Sequence, residues 1–282
     1  MKGKILDGRE VSKRIKESLK ERIEKMKEER GITPGLAVII TGGNPSAISY
    51  VRSLEKVCRQ TCVNSFVYEL PAETSEEDLI KLINELNIRD DVNGILVQLP
   101  LPKHINPEEV AKAIKPSKDV DGFNPINAGK LFRGEKCLVP CTPKGVMRLI
   151  SEYGIELKGK KAAVVGRSNI VGKPVSQLLL NKDATVVICH SKTKELDEEL
   201  ISCDIIVSAA GKPGFIKSNM VKEGAVVIDV GTTMVEGKLM GDVDFEEVIE
   251  KASFITPVPG GVGAMTTAML IENVLEAMET YD

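Results

Sequence analysis

The stretch 161–193, KAAVVGRSNIVGKPVSQLLLNKDATVVICHSKT, places glycine, arginine and serine where a strand would turn into a helix. The run 162–165 is short, apolar and partly β-branched, as a strand buried on both faces should be. Gly166 permits a tight turn. Ser168 can cap the following helix, whose free N–H groups and dipole attract a phosphate. Gly172 has no side chain to hold helix and strand apart. The next strand, 184–189, ends in His190, Ser191 and Lys192. A dinucleotide site built for NAD carries Asp or Glu there to hold the ribose 2′-hydroxyl. Arg167, Ser191 and Lys192 instead supply cations and donors suited to a 2′-phosphate, which predicts NADP. The turn departs from G-x-G-x-x-G in its middle serine and one extra residue, and a purely structural turn can share that pattern.

Four other segments carry more chemistry than a connection needs. In GILVQLPLP (94–102), Gln98 puts an amide at the end of an apolar strand, as a site residue or as a satisfied strand end. In KDVDGFNPIN (118–127), Asp121 beside Gly122 is a binding carboxylate or a turn residue. TPVPGGVGAM (256–265) fixes exposed backbone groups with two prolines and three glycines. Tyr50 is a stacking platform or a core aromatic.

These residues need a scaffold, and strand–helix alternation along the chain predicts a doubly wound α/β architecture. Val11, Ile15, Leu19, Ile23 and Met26 form a helical stripe that Gly31 can close. Strands are expected at 36–40, 64–68 and 94–98. Thr74 with Glu77 reads as a capping box for a helix over 75–86. The pattern restarts after Asn127 with a helix near 143–151, and strands follow at 205–209 and 225–230. The helix 266–278 is long enough to pack back on the first part. The expected division is a domain of 1–140 plus 266–282, and a Rossmann-like domain of 141–265. Domain junctions favour small ligands, so a cleft between the two is expected.

The bulk properties exclude several classes. The 282 residues are 42% hydrophobic and 28% charged, with net charge −3. No single-sign block or long apolar run points to nucleic acid or a membrane. Six cysteines without a CxxC pair, and only two histidines, argue for core thiols and no metal site. A cytoplasmic protein is expected.

Read together, these segments resemble the bifunctional methylenetetrahydrofolate dehydrogenase/methenyltetrahydrofolate cyclohydrolase family. The resemblance runs from KILDG (4–8) to the last helix. It is carried by GILVQLPLP (94–102), KDVDGFNP (118–125), PCTPKG (140–145), VVGRSNIVGKP (164–174), CHSKT (189–193), AAGKPGF (209–215), VVIDVG (226–231), GDVDF (241–245) and TPVPGGVG (256–263). It implies oxidation of 5,10-methylenetetrahydrofolate by NADP, hydrolysis of the methenyl product to 10-formyltetrahydrofolate, and a homodimer formed through the cofactor domain. It also implies roles. Tyr50 lies against the folate, Asp121 holds the pterin edge, and Gln98 positions a catalytic lysine. Val97, Leu99, Pro259, Gly260 and Gly261 line the folate site. Gly166, Arg167, Ser168, Ser191 and Thr232 contact the cofactor, and Thr142 lies in the hinge loop.

The family's Ser-x-x-Tyr-Val-x-Ser-Lys reads here Ala47-Ile48-Ser49-Tyr50-Val51-Arg52-Ser53-Leu54. The lysine assigned to water activation is Leu54. Lys56 lies two residues on, a rotation of about 200° around a helix, and is expected to face away. Cys62 replaces a glycine and Ala264 a proline. Two readings stand: a member specialised for dehydrogenation, or a weakly active or non-catalytic folate- or nucleotide-binding paralogue.

Overall fold

The computed structural model describes residues 2–281. In its first half the chain runs β1 (Lys4–Ile5), α1 (Gly8–Arg30), β2 (Gly35–Thr41), α2 (Pro45–Gln60), β3 (Asn64–Leu70) and α3 (Glu76–Asn87). Next come β4 (Gly94–Val97), α4 (Pro107–Ala113), α5 (Pro125–Phe132) and α6 (Cys141–Glu152). The second half begins with β5 (Lys161–Val165), α7 (Gly172–Leu180), β6 (Thr185–Cys189), α8 (Leu196–Ile201), β7 (Ile205–Ser208) and β8 (Val226–Asp229). It ends with β9 (Thr233–Val235), β10 (Lys238–Met240), α9 (Phe245–Val248), β11 (Phe254–Ile255) and α10 (Thr266–Tyr281).

Two compact units result. One comprises Arg14–Cys141 with Thr267–Asp282. Its parallel sheet has the order β3-β2-β4. Every residue of β2 is buried, which is why GLAVIIT is almost wholly apolar. From β2 the chain passes through α2 to β3 on one side, then returns to place β4 on the other. The connections therefore diverge at the carboxyl end of β2, the place where open α/β sheets bind ligands. On α2, Ala47, Val51, Leu54, Val57 and Cys58 are buried, a stripe at helical spacing. On α3, Leu79, Ile83 and Leu86 bury their side chains in a cluster with Ala37, Ile39 and Ile95 of the sheet.

The other unit comprises Met1–Lys13 with Thr142–Thr266. Its six-stranded parallel sheet has the order β1-β11-β8-β7-β5-β6. Here β5 leads through α7 to β6 on one side, and β7 returns on the other, so the switch point lies at the end of β5. The core cluster behind this sheet includes Val165, Cys189, Ile206, Val227 and Ile255.

Two expectations need correction. Residues 4–6 do not join the unit that follows them in sequence. Lys4 and Leu6 donate backbone hydrogen bonds to the carbonyls of Ser253 and Ile255 at 2.8 Å, making β1 the edge strand beside β11. A two-residue strand has no periodicity to read, and its partner lies at the far end of the chain. The cap of α3 is Ser75 rather than Thr74. Ser75 holds the extended backbone a cap requires (φ −70°, ψ 156°), and its Oγ accepts the Asp78 N–H at 3.1 Å.

Candidate functional site

In the unit built on β2, the ligand end of the sheet presents α2 after β2 and Gln98 after β4. Asn44 caps α2, its Oδ1 accepting the N–H groups of Ser46 and Ala47. One turn on, Tyr50 is half-buried on α2. Gln98 is anchored by its own N–H to the Ile39 carbonyl, and its Nε2 donates to Leu99 O at 2.8 Å. Val97 beneath it is buried and Leu99 beyond it is exposed; the Leu99–Pro100 bond is cis.

The loop that carries Asp121 is built by Asp119. That buried carboxylate accepts the backbone N–H groups of Phe123 (3.0 Å) and Asn124 (2.8 Å) and the Asn127 amide (2.9 Å). Gly122 closes the turn at φ +73°, where a Cβ would also run into Pro140. Ile95 N–H donates to Lys118 O, tying the loop to β4. Asp121 is thereby held half-buried beside a second acid. Burial, and then the charge of Asp119, push its carboxyl up to about 7, with a hydrogen bond from the Cys141 thiol opposing the rise. Burial pushes the Tyr50 phenol far up, and the negative charge of Asp121 and the neighbouring Cys141 and Cys58 add to it. The structure thus brings Tyr50, Asp121 and Cys141 into one electrostatic neighbourhood. Leu54, at the lysine position, is wholly buried, and Lys56 is exposed.

In the other unit, Gly166 leaves β5 at φ +127°, and a Cβ there would meet the Ala209 carbonyl. A Cβ on Gly172 would strike the Gly166 carbonyl, so α7 can start this close to β5 only as glycine. The cap position of α7 is Val171, not Ser168 as expected, and its side chain makes no capping bond; the Ser168 Oγ instead holds the turn before the helix, accepting from Val171 N (3.2 Å) and Gly172 N (3.4 Å). Val165 and Cys189 are level across β5 and β6, and Gly166 N donates to Cys189 O. Arg167 and Ser191, each two residues further on, therefore emerge at the same edge, and both are exposed. The His190 N–H donates to Thr193 Oγ1, and its Nδ1 accepts the Lys192 N–H, which shapes the turn beyond β6. Residues 189–193 contain no carboxylate. This donor set, around a glycine cradle, fits a dinucleotide bearing a 2′-phosphate.

Thr232 follows β8 and is exposed, and Thr142 is half-buried in the first turn of α6. Pro259, Gly260 and Gly261 sit against the start of α1, where Arg9 N donates to Gly260 O at 3.2 Å. These residues belong to the unit built on β5; Tyr50, Gln98 and Asp121 belong to the one built on β2. A reading of the sequence missed Cys141 and Asn273, whose contacts come from distant segments, and Asp119, whose partners at 123, 124 and 127 are near in sequence but share no recognisable motif. None of the six cysteines forms a disulfide, and among the described residues no three His, Cys, Asp or Glu side chains gather as metal ligands. Among the same residues no helix is long and apolar enough to cross a membrane.

Comparison with known proteins shows the family. Residues 6–121 match the catalytic domain of tetrahydrofolate dehydrogenase/cyclohydrolase, and residues 140–282 match its NAD(P)-binding domain. The bifunctional protein FolD of Acetivibrio thermocellus is 54% identical over 278 residues, covering 98% of this chain and 97% of that protein. The crystal structure of the bifunctional FolD of Campylobacter jejuni superposes with a TM-score of 0.96 at 50% identity, over 98% of each chain. The Trypanosoma brucei enzyme, complexed with NADP and an inhibitor, gives 0.93 at 40% identity over 99% of this chain and 98% of that one.

Proposed function

Because this chain belongs to the tetrahydrofolate dehydrogenase/cyclohydrolase family, we propose that it oxidises 5,10-methylenetetrahydrofolate with NADP and hydrolyses the methenyl product poorly. The observation that carries this reading is Leu54, wholly buried where the family motif has its lysine. The two half-reactions ask for different things. Hydride departure from the methylene carbon is assisted by a lone pair of the folate's own N5 or N10, so the protein must chiefly align the reactants. Hydrolysis needs a group that activates water beside the amidinium carbon. Leucine offers none.

NADP, when bound, supplies the nicotinamide ring that accepts the hydride. Gly166, Ser168, Thr142 and Thr232 are assigned to hold the dinucleotide, with Arg167 and Ser191 on its 2′-phosphate. Asp121 accepts paired N–H donors of the pterin edge, and Tyr50 lies against its ring. Val97, Gln98, Leu99 and the loop Pro259, Gly260, Gly261 complete the folate contacts. With no ammonium to hold, Gln98 is left to its bond with Leu99 O. A cytoplasmic homodimer joined through the cofactor domain, taking folates and neither nucleic acid nor membranes, accompanies this assignment.

The purified protein should reduce NADP when given methylenetetrahydrofolate, and methenyltetrahydrofolate should accumulate rather than pass on to the formyl form. A second reading, a binding paralogue without activity, draws on the same Leu54. Both ligands bound with no NADPH formed would establish it instead.

A further inference from the structure

The face of α10 that enters the β2 unit is apolar: Leu270, Ile271, Val274, Leu275 and Met278 are all buried. Asn273 interrupts it with a side-chain amide that is 0% exposed. Burying an amide costs free energy unless its donors find partners, and an aliphatic side chain would fill such a place without that cost. The amide has two N–H donors, and both are spent on loops far away in sequence. Asn273 Nδ2 lies 2.8 Å from Val120 O and 2.8 Å from Val139 O. It also lies 3.7 Å from Cys141 Sγ, and the Cys141 thiol is itself 3.3 Å from Val120 O.

The targets matter more than the number of bonds. The Val120 carbonyl belongs to the peptide plane that leads into Asp121, so fixing it fixes the direction from which that side chain starts. Val139 and Cys141 flank Pro140, the residue against which Gly122 closes the same turn. One amide therefore grips the turn before Asp121 and the strap packed behind it. The helix adds to this, since Val274 and Val120 together crowd Gly94 on β4.

From this geometry we propose that Asn273 is a positioning residue for Asp121: it sets folate affinity through the Val120 peptide without touching the folate. The proposal rests on the assignment of Asp121 to the folate. Removing the amide leaves two buried carbonyls without this donor and frees the turn. Asn273→Ala should therefore weaken tetrahydrofolate binding by about tenfold while NADP affinity stays put. Asn273→Ser, which keeps one hydroxyl donor, should lose less.

The test is a double-mutant cycle read by direct binding of tetrahydrofolate and of NADP to the full-length protein. If Asn273 acts through Asp121, Asn273→Ala costs nothing further once Asp121→Ala is present. Equal losses in both backgrounds, an unchanged affinity in Asn273→Ala, or a matching loss of NADP affinity would each overturn the proposal. So would failure of both Asn273 variants to fold, since that marks a residue needed to build the core. If Asp121→Ala alone leaves tetrahydrofolate binding intact, the assignment of Asp121 is what has failed, and the cycle shows it in its first arm.

Discussion

Leu54 lies one helical turn beyond Tyr50 on α2 and is wholly buried, whereas Lys56 on the same helix is exposed. Residues four apart share a helix face, so a longer polar side chain at position 54 would point alongside the Tyr50 ring. Lys56, about 200° further round the helix, starts from the other side.

Leu54→Lys should restore hydrolysis of methenyltetrahydrofolate, by roughly 10²–10⁴-fold if positioned acid–base help has its usual worth. The same change puts an ammonium where the native helix buries a hydrocarbon, and it should cost on the order of 2–3 kcal/mol of stability. Leu54→Met, close in volume, should fold well and gain no hydrolysis, which separates packing from chemistry. Product analysis of both variants beside the parent decides the matter. A parent protein that hydrolyses as fast as it oxidises would refute the idea outright.

With Asp121 assigned to the pterin edge, folate binding should be sensitive to pH near neutrality. The Asp121 carboxyl is raised from the ordinary 3.8 to about 7, by burial first and Asp119 second. Between those values the folded protein holds a proton that the unfolded chain has released. The group's contribution to stability therefore falls as pH rises through that window. Binding runs the other way, because only the carboxylate accepts both N–H donors of a pterin edge. Tetrahydrofolate affinity should climb as pH passes through about 7 and level off above it. Tyr50 stays a neutral phenol throughout, so it adds no step of its own. Asp121→Asn should flatten the profile. Binding isotherms one unit below and one unit above the midpoint test this, and equal affinities in the parent would contradict it.

What could be read from the amino-acid order was whatever depends on neighbours in sequence. The runs at 36–40 and 162–165 announce buried parallel strands because both of their faces are covered. Gly166, Ser168 and Gly172 announce a tight strand-to-helix turn because each acts on backbone a few residues away. Leu54 stands out only against the family motif, which has lysine at that place after Tyr50. Contacts made across the chain were silent. β1 is two residues long, with exposed Lys4 and Ile5, and finds its partner only at Phe254–Ile255. Asn273 is an amide in an apolar helix, and nothing local says that its partners are the carbonyls of Val120 and Val139. The choice of Ser75 over Thr74 as cap depends on where the helix begins, which neither residue type dictates.

Arg167 should set the preference between the two dinucleotides. It leaves β5 at the edge where Ser191 leaves β6, both are exposed, and no carboxylate lies in residues 189–193 to compete for the ribose. A guanidinium on a phosphate makes a charge-assisted contact that NAD, lacking the 2′-phosphate, cannot share. Arg167→Ala should therefore cost about 1.5–3 kcal/mol in NADP affinity, roughly 10- to 100-fold, and leave NAD affinity almost unchanged. Because the side chain is exposed, added salt should shrink the parent's preference for NADP more than that of the variant, which keeps only the Lys192 charge. Arg167→Lys keeps the charge and loses the planar fork, so it should fall between the two. Dissociation constants for both dinucleotides, measured at low and high salt, provide the check. An NADP/NAD ratio that survives Arg167→Ala would move the 2′-phosphate to Ser191 and Lys192 alone.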